Sequence, residues 1–284
     1  MKWVRVSKRR PCPICDHHDW CMVAADGSAA ICPRMESPKR CGEAGWLHRL
    51  ADDPVRLPPR RRRVAVESAV PSAEIASLSL RCQTAADRLG KIDELAGLLG
   101  VSARALIRLG VGWLDRERCW TWPLADAAGR TVGLNRRWPD GKKRIVAGHH
   151  AGLYLPADLS LDLAGGELVI VEGGSDVAAG LDLGLPTVGR FSCTHGGRLL
   201  IRLICDRRPG LVVIVADADG PGRRGAERLA SALLPYSACL KLIEPPAPHK
   251  DLRGWLLAGA TSADLISLVD EGSPRRLIVR TRKA

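Results

Sequence analysis

Three carboxylates stand behind two short apolar stretches of the chain, and their oxygens are the ligands that a hard cation such as Mg²⁺ prefers. The stretches Leu168–Val171 and Leu211–Ala216 are rich in β-branched residues, which is typical of strands buried on both faces of a parallel sheet. Ligands of such sheets bind at the carboxyl ends of the strands. We therefore expect Glu172, Asp217 and Asp219 to converge on one divalent cation.

The spacing around the first of these carboxylates leaves some roles open. Glu172 either ligates the metal or acts as a base. Asp176 follows one helical turn later, where it either supports the neighbouring carboxylates or interacts favourably with the dipole at a helix N-terminus.

Cysteines crowd the first forty residues, and their spacing indicates a zinc site. A Cys-x-x-Cys turn at 12–15 presents two thiolates to one ion. A hairpin turn at Asp26-Gly27 would place Cys21 opposite Cys32, with Cβ atoms ~5 Å apart. We expect a small β-rich zinc ribbon that folds largely by binding Zn²⁺, and Cys41 remains a competing ligand. The expected ligands are Cys12, Cys15, Cys21 and Cys32.

The charge balance suits a polyanionic partner. The 284 residues include 43 Lys and Arg against 31 Asp and Glu, which gives a formal net charge of +12. Nucleic acid is the obvious partner, although such a charge can also serve solubility alone. No apolar run reaches the roughly 18–20 residues of a membrane span, and the first ten residues lack the apolar core of a signal peptide. We expect a cytoplasmic protein without a membrane partner, whose thiols are free or bound to metal.

The region between the cysteines and the carboxylates predicts a tether, then helices, then strands. Residues 51–75 combine several prolines with the run Arg60–Arg63, which indicates an extended linker. The spacing of apolar residues predicts helices over 73–110, with Gly100 as a stop. A hairpin turn is expected at Asp140-Gly141. The predicted strands are Cys119–Pro123, Arg130–Trp138 and Arg144–Ala147.

The acidic pattern resembles the Toprim fold, which bacterial-type primases, topoisomerases and some nucleases and recombination proteins share. That fold has Glu-Gly-x-x-Asp after one strand and Asp-x-Asp after a later strand. The chain has Glu172-Gly173-Gly174-Ser175-Asp176 and Asp217-Ala218-Asp219 in the same order. Lys250-Asp251-Leu252 resembles the acidic element near the end of the Toprim domain.

The stretch before these motifs is similar to that of bacterial replicative primases. Residues 129–137 resemble the Gly-Arg-x-Ile-x-Phe-Gly-Gly-Arg stretch of that family, and a basic strand and Gly152-Leu153-Tyr154 follow as they do there. The family's Gly-Gly-Arg is Asn135-Arg136-Arg137 here, which is a departure within the basic groove. The combination is most similar to the short primase-like proteins of phages, plasmids and integrated elements.

The resemblance implies an α/β fold in which a zinc ribbon and a tether precede a mixed α+β subdomain fused to a Toprim sheet. The implied segments are a zinc-binding ribbon (1–50), a Pro/Arg-rich linker (51–75), a basic subdomain (76–160), a Toprim domain (161–272) and a basic tail (273–284).

The implied activity is that of a DNA primase, which copies single-stranded DNA into short RNA primers by metal-dependent nucleotidyl transfer from NTPs. Mg²⁺ or Mn²⁺ would be held by Glu172, Asp217 and Asp219, with Asp251 as a possible further ligand. The zinc module would contact the template, and Trp20 is a candidate stacking platform. Any replicative helicase is expected to be a separate chain. The implied nucleotide- and DNA-binding residues are Arg136, Arg137, Lys142, Lys143 and Arg223.

Two other functions stay open. A recombination mediator pairs a four-cysteine site with a Toprim domain and binds DNA without catalysis, but such a protein needs no basic strands for a triphosphate. A Toprim nuclease usually carries an ATPase, and no Gly-x-x-x-x-Gly-Lys-Ser/Thr motif is present.

Overall fold

The computed structural model describes residues 3–50, 72–159, 163–192 and 194–276. The chain divides into two compact units, 1–66 and 67–284. The run Arg60–Arg63 and most of the predicted linker lie outside the described residues, as does the end of the predicted basic tail. Within the described ranges, no helix combines the length and the apolar character needed to cross a membrane.

The first unit is a small antiparallel sheet whose strands pair in chain order. Val23 pairs with Ala30, which confirms the hairpin register expected from a turn at Asp26-Gly27. Gly27 has φ = +76°, a conformation that favours glycine. The core of this unit contains the cysteines and few aliphatic side chains. Its strands are β1 (Trp3–Arg5), β2 (Met22–Ala24), β3 (Ala29–Cys32) and β4 (Trp46–Arg49).

The second unit begins with three helices, as the sequence predicts for 73–110. Gly100 has φ = +65° and donates its N–H to the carbonyl of Ala96, and it ends the second helix as expected. The first helix starts at Ser72, inside the segment predicted as linker, and the hydroxyl of Ser72 donates to the carbonyl of Thr131. The helices are α1 (Ser72–Arg88), α2 (Lys91–Leu99) and α3 (Ala103–Arg108).

One mixed sheet forms the centre of the second unit. Its strands are β5 (Gly112–Leu114), β6 (Cys119–Ala125), β7 (Thr131–Arg137), β8 (Lys143–Ile145), β9 (Leu153–Tyr154), β10 (Glu167–Glu172), β11 (Thr187–Arg190), β12 (Leu211–Val215) and β13 (Leu240–Ile243). The order is β13-β12-β10-β11-β9-β6-β7-β8, and β5 pairs with β6. β10, β11, β12 and β13 are parallel, whereas β9 is antiparallel to both β11 and β6. The strands predicted near 119, 130, 144, 168 and 211 are all present.

Helices cover both faces of the parallel strands. Val169 and Val213 pack in a core with α1, α2 and α3, whereas Ile170 and Ile214 point into a core on the other face. This two-sided burial explains why β10 and β12 are apolar at successive positions. The predicted fold class, a small β-rich module followed by a mixed α/β domain, is confirmed. The remaining helices are α4 (Gly174–Asp182), α5 (Gly197–Arg207), α6 (Gly220–Leu233), α7 (Leu252–Leu257) and α8 (Ser262–Glu271).

Candidate active site and candidate metal centre

The carboxyl ends of β10 and β12 bring the predicted carboxylates to one edge of the sheet. The two strands are parallel neighbours, and Ile170 pairs with Ile214. Glu172 ends β10, Asp217 follows β12, and Asp219 caps α6 by accepting the N–H of Gly222 at 2.7 Å. A further carboxylate, that of the α7 cap Asp251, accepts the N–H of Gly254 at 2.7 Å.

The electrostatics of Asp217 show that these groups act on one another. Burial, reinforced by the charges of Glu172 and Asp251, raises the pKa of Asp217 to about 7. The pKa of Asp176 is also raised to about 7, by burial first and by Asp251 and Asp217 next. Asp219 differs, because the Gly222 N–H and the ammonium of Lys250 lower its pKa. The cluster therefore combines two carboxyls whose pKa values are raised by desolvation and neighbouring carboxylates with one carboxylate that is already stabilised.

This donor set fits a divalent cation. Oε2 of Glu172 is buried and accepts no hydrogen bond, and Nη2 of Arg190 lies 3.5 Å from it. A buried carboxylate oxygen without a hydrogen bond is stabilised by a nearby cation, and a divalent ion can approach it more closely than this guanidinium does. Oxygen ligands are those that Mg²⁺ and Mn²⁺ prefer. The cluster is more open than a closed metal cage, since among the described residues only the first unit's cysteines bring three or more ligand atoms within 4.8 Å of one another.

Two basic side chains that the sequence analysis did not single out lie against the acidic motifs. Arg190, at the end of β11, approaches Oε2 of Glu172 to 3.5 Å through Nη2. Lys250 places Nζ 3.1 Å from Oδ2 of Asp219. A signal for Lys250 was present in the sequence, because it directly precedes Asp251 in the third acidic element. No such signal marks Arg190, whose position depends on the pairing of β10 with β11.

A basic hairpin faces the acidic edge. Arg137 and Lys143 pair across β7 and β8 and line a small recess with Gly174 and Ser175 at the start of α4. Burial, followed by the charge of Arg253, lowers the pKa of Arg137. Partial desolvation, followed by the charge of Arg137, lowers the pKa of Lys143, which stays exposed to solvent, whereas Asp176 and Asp217 act in the opposite direction. A half-buried arginine and an exposed lysine thus lie within electrostatic range of the carboxylates.

The other three predicted binding residues have partners elsewhere. Arg136 pairs with Glu117 and lies over the ring of Trp138, 5.1 Å from its centroid. Lys142 lies 6.0 Å from the same centroid. Side chains alternate along a strand, which places Arg136 on the face of β7 opposite to Arg137. Arg223 forms an ion pair with Glu244 at 2.9 Å. Their roles in binding nucleotide or DNA stay predictions.

The first unit contains a compact thiol centre that has the dimensions of a zinc site. Sγ of Cys21 lies 3.6 Å from Sγ of Cys15 and 3.8 Å from Sγ of Cys32. Four sulfurs at ~2.3 Å from a tetrahedral zinc ion are separated by about 3.8 Å. Arg34, which sequence reasoning missed, donates from Nη1 to Sγ of Cys21 at 3.6 Å. Cys41 is partly exposed and is not part of the cluster. The clustered residues are the four predicted ones, Cys12, Cys15, Cys21 and Cys32.

Solved structures of bacterial primases share this fold. The E. coli primase catalytic core has a TM-score of 0.58 and 16% identity, over 72% of this chain and 80% of that chain. The DnaG primase catalytic domain bound to single-stranded DNA also has a TM-score of 0.58 and 16% identity, over 72% and 78%. The zinc-binding and RNA polymerase domains of the Aquifex aeolicus primase reach 0.60 at 13% identity, over 72% of this chain and 61% of that chain. No protein-family model matches the chain, and no curated protein matches it in sequence.

These comparisons establish the fold as that of bacterial primase catalytic cores, preceded by a small antiparallel sheet with four clustered cysteines. The predicted resemblance to bacterial-type primases is confirmed at the level of the fold. Sequence identities of 13% and 16% support a shared fold and nothing further. A shared fold does not by itself establish a shared activity.

Proposed function

We propose that this protein is a DNA primase-like enzyme that synthesises short RNA primers on single-stranded DNA by nucleotidyl transfer. One observation carries the proposal: the cations Arg137 and Lys143 line a recess with Gly174 and Ser175, just after the acidic end of β10. Both lie within electrostatic range of Asp176, and Lys143 also lies within range of Asp217. Nucleotidyl transfer needs both kinds of group side by side, because polyphosphate must be held where carboxylates hold a divalent ion.

The residues divide the chemistry between them. Asp217 and Asp219 would hold Mg²⁺ or Mn²⁺, and Glu172 would complete the ligand set or take the proton of the attacking 3′-hydroxyl. The bound ion would bring anionic oxygens together and stabilise the leaving pyrophosphate. Arg137 offers a planar fork for phosphate oxygens and Lys143 a compact charge. The half-buried position of Arg137 supports a role toward an anionic ligand, since taking a cation partly out of water is unfavourable unless an anion approaches it.

The first unit would hold one structural zinc ion and contact the template. Its four clustered cysteines support zinc binding, and the ring of Trp20 is 74% exposed and therefore open to stacking with a base. A separate helicase would supply unwound template, and the reaction would take place in the cytoplasm. The solved catalytic domain bound to single-stranded DNA supports that class of template for this fold.

Incorporation of labelled NTPs on single-stranded DNA, with Mg²⁺ or Mn²⁺, tests the proposal. We expect primer synthesis by the unmodified protein and a loss of at least about 10²-fold in Asp217→Asn and Asp219→Asn, because each change removes a ligand charge at nearly constant volume. Asp206→Asn is the matched control, since Asp206 lies on α5 and pairs with Arg202. Full activity of either site variant would contradict the assignment.

A non-catalytic DNA-binding mediator is the second candidate. The ion pairs of Glu172 with Arg190 and of Asp219 with Lys250 favour it, because both acidic motifs already have a protein cation nearby. Such a protein would bind single-stranded DNA and incorporate no nucleotide with any divalent metal. DNA binding without NTP binding would therefore replace the primase proposal with this one.

A further inference from the structure

Lys250 has a fixed place beside the acidic edge. The N–H of Ala218, between the two motif aspartates, donates to the carbonyl of Lys250 at 2.7 Å. The next residue, Asp251, caps α7. The backbone of Lys250 is therefore joined to the loop that carries Asp217 and Asp219, and its side chain starts from within the candidate site.

The two oxygens of Asp219 are engaged by different partners. Oδ1 accepts the backbone N–H of Gly222 at 2.7 Å, which caps α6. Oδ2 lies 3.1 Å from Nζ of Lys250. Because the cap takes Oδ1, Oδ2 is the oxygen through which Asp219 can best ligate a cation, and the ammonium of Lys250 occupies that position.

The two protein cations of the site differ in how firmly they are held. The side chain of Arg190 is 6% exposed, and its Nη1 also donates to the carbonyl of Gly225 at 3.4 Å. The side chain of Lys250 is 63% exposed and has four rotatable bonds. Arg190 is thus a permanent part of the site, whereas Lys250 can turn away at small cost.

We propose that Lys250 is a displaceable counter-cation of the acidic cluster: it occupies Oδ2 of Asp219, must leave when a divalent ion binds there, and so lowers the affinity of the site for that ion. The inference rests on the proposed function, because it takes Asp219 as a metal ligand. Its chemistry is direct competition of a monovalent ammonium with a divalent cation for one carboxylate oxygen, reinforced by repulsion between the two positive charges.

The test is a Mn²⁺ titration of the full chain without nucleotide, followed by calorimetry or by the electron paramagnetic resonance of free Mn²⁺. In Lys250→Met, which keeps most of the side-chain length and removes the charge, we expect Mn²⁺ to bind about two- to tenfold more tightly. Lys250→Arg keeps the charge and should remain within about twofold of the unmodified protein. Arg275→Met removes the same charge from an exposed pair with Glu227 and controls for net charge.

The outcomes separate this inference from the proposed function. Unchanged or weaker Mn²⁺ binding by Lys250→Met, with binding still abolished by Asp217→Asn, would overturn the role of Lys250 and leave the metal site standing. An equal gain in Arg275→Met would also overturn it, because the effect would then be one of net charge. Absence of Mn²⁺ binding in the unmodified protein and in Lys250→Met would overturn the metal site itself.

Discussion

At the scale of single residues, the two aspartates of the Asp-x-Asp motif have pKa values shifted in opposite directions. Asp219 has a backbone donor and an ammonium, which lower its pKa. Asp217 is half-buried beside other carboxylates, and desolvation together with their charges raises its pKa to about 7. A carboxyl with this pKa carries a bound proton in part of the molecules at neutral pH, so a divalent ion that binds it must displace that proton.

The raised pKa of Asp176 should appear as a pH dependence of the protein's stability. The carboxyl of Asp176 is 6% exposed, and burial together with Asp251 raises its pKa from 3.8 to about 7. The folded state therefore holds a proton that the unfolded state releases between about pH 4 and pH 7, so this group's contribution to stability falls as the pH rises through that window.

We expect Asp176→Asn to remove the fall in the free energy of unfolding that Asp176 causes as the pH rises. The difference in free energy of unfolding between the variant and the unmodified protein should shift in favour of the variant by about 2–3 kcal/mol as the pH rises from 5 to 8. Urea unfolding with a chelator present, over that pH range, measures the difference. Asp206→Asn, which removes a carboxylate from a pair with Arg202 on α5, is the control for the loss of one negative charge. A constant difference for Asp176→Asn would mean that its carboxyl is not held protonated by the fold.

Sequence reasoning located the carboxylates of the candidate site better than the basic side chains beside them. Asp217 and Asp219 were predictable because apolar β-branched runs locate the strand ends. Lys250 was not assigned a role, because its contact with Asp219 joins two loops that are remote from each other in the sequence. Strand alternation places Arg136 and Arg137 on opposite faces of β7. The sequence alone does not say which of the two faces lies toward the carboxylates.

At the scale of elements, close packing of α4 on the parallel strands positions the acidic edge. A Cβ added at Gly180, inside α4, would lie 2.3 Å from Oγ1 of Thr187, and Thr187 begins β11. The strand β11 was not predicted, because Thr187–Arg190 is short and contains glycine and arginine where an apolar run is expected. Its place between β10 and β9 depends on contacts that are remote in the sequence.

Two glycine substitutions within helices should therefore have opposite effects. Gly180→Ala should lower the free energy of unfolding by about 1–3 kcal/mol, because the methyl group meets a fully buried side chain. Gly97→Ala, within α2, meets nothing within 4 Å and should raise it by about 0.5–1 kcal/mol. Chemical denaturation of both variants measures the contrast. Equal effects would show that α4 does not approach β11 as closely as described.

At the scale of the whole molecule, one sheet joins segments that the sequence analysis treated as a basic subdomain and a Toprim domain. β9 pairs with β6 on one side and with β11 on the other. The predicted boundary near residue 160 therefore falls between strands of one hydrogen-bonded sheet. Periodicity predicts individual strands, but strand order depends on long-range pairing, which is why the sequence did not indicate that these two segments share a sheet.

The two compact units should respond differently to loss of metal. The described core of the first unit consists largely of the cysteines themselves with Val6, Val23 and Ala30, too little apolar surface to hold a fold without zinc. The second unit has extensive cores on both faces of its sheet. Chelation should therefore unfold the first unit and leave the cooperative transition of the second unit in place.

Cysteine variants of the full chain make this prediction specific. Cys21→Ser should lower the zinc content well below one ion per chain and give the same calorimetric trace as chelation, because the other three thiolates cannot close a tetrahedron. Cys41→Ser should retain one zinc ion, because Cys41 lies outside the cluster. Metal analysis with scanning calorimetry distinguishes the two. Zinc loss in Cys41→Ser with full retention in Cys21→Ser would show that a different set of cysteines binds the ion. If chelation also removed the transition of the second unit, the stability of that unit would depend on zinc as well.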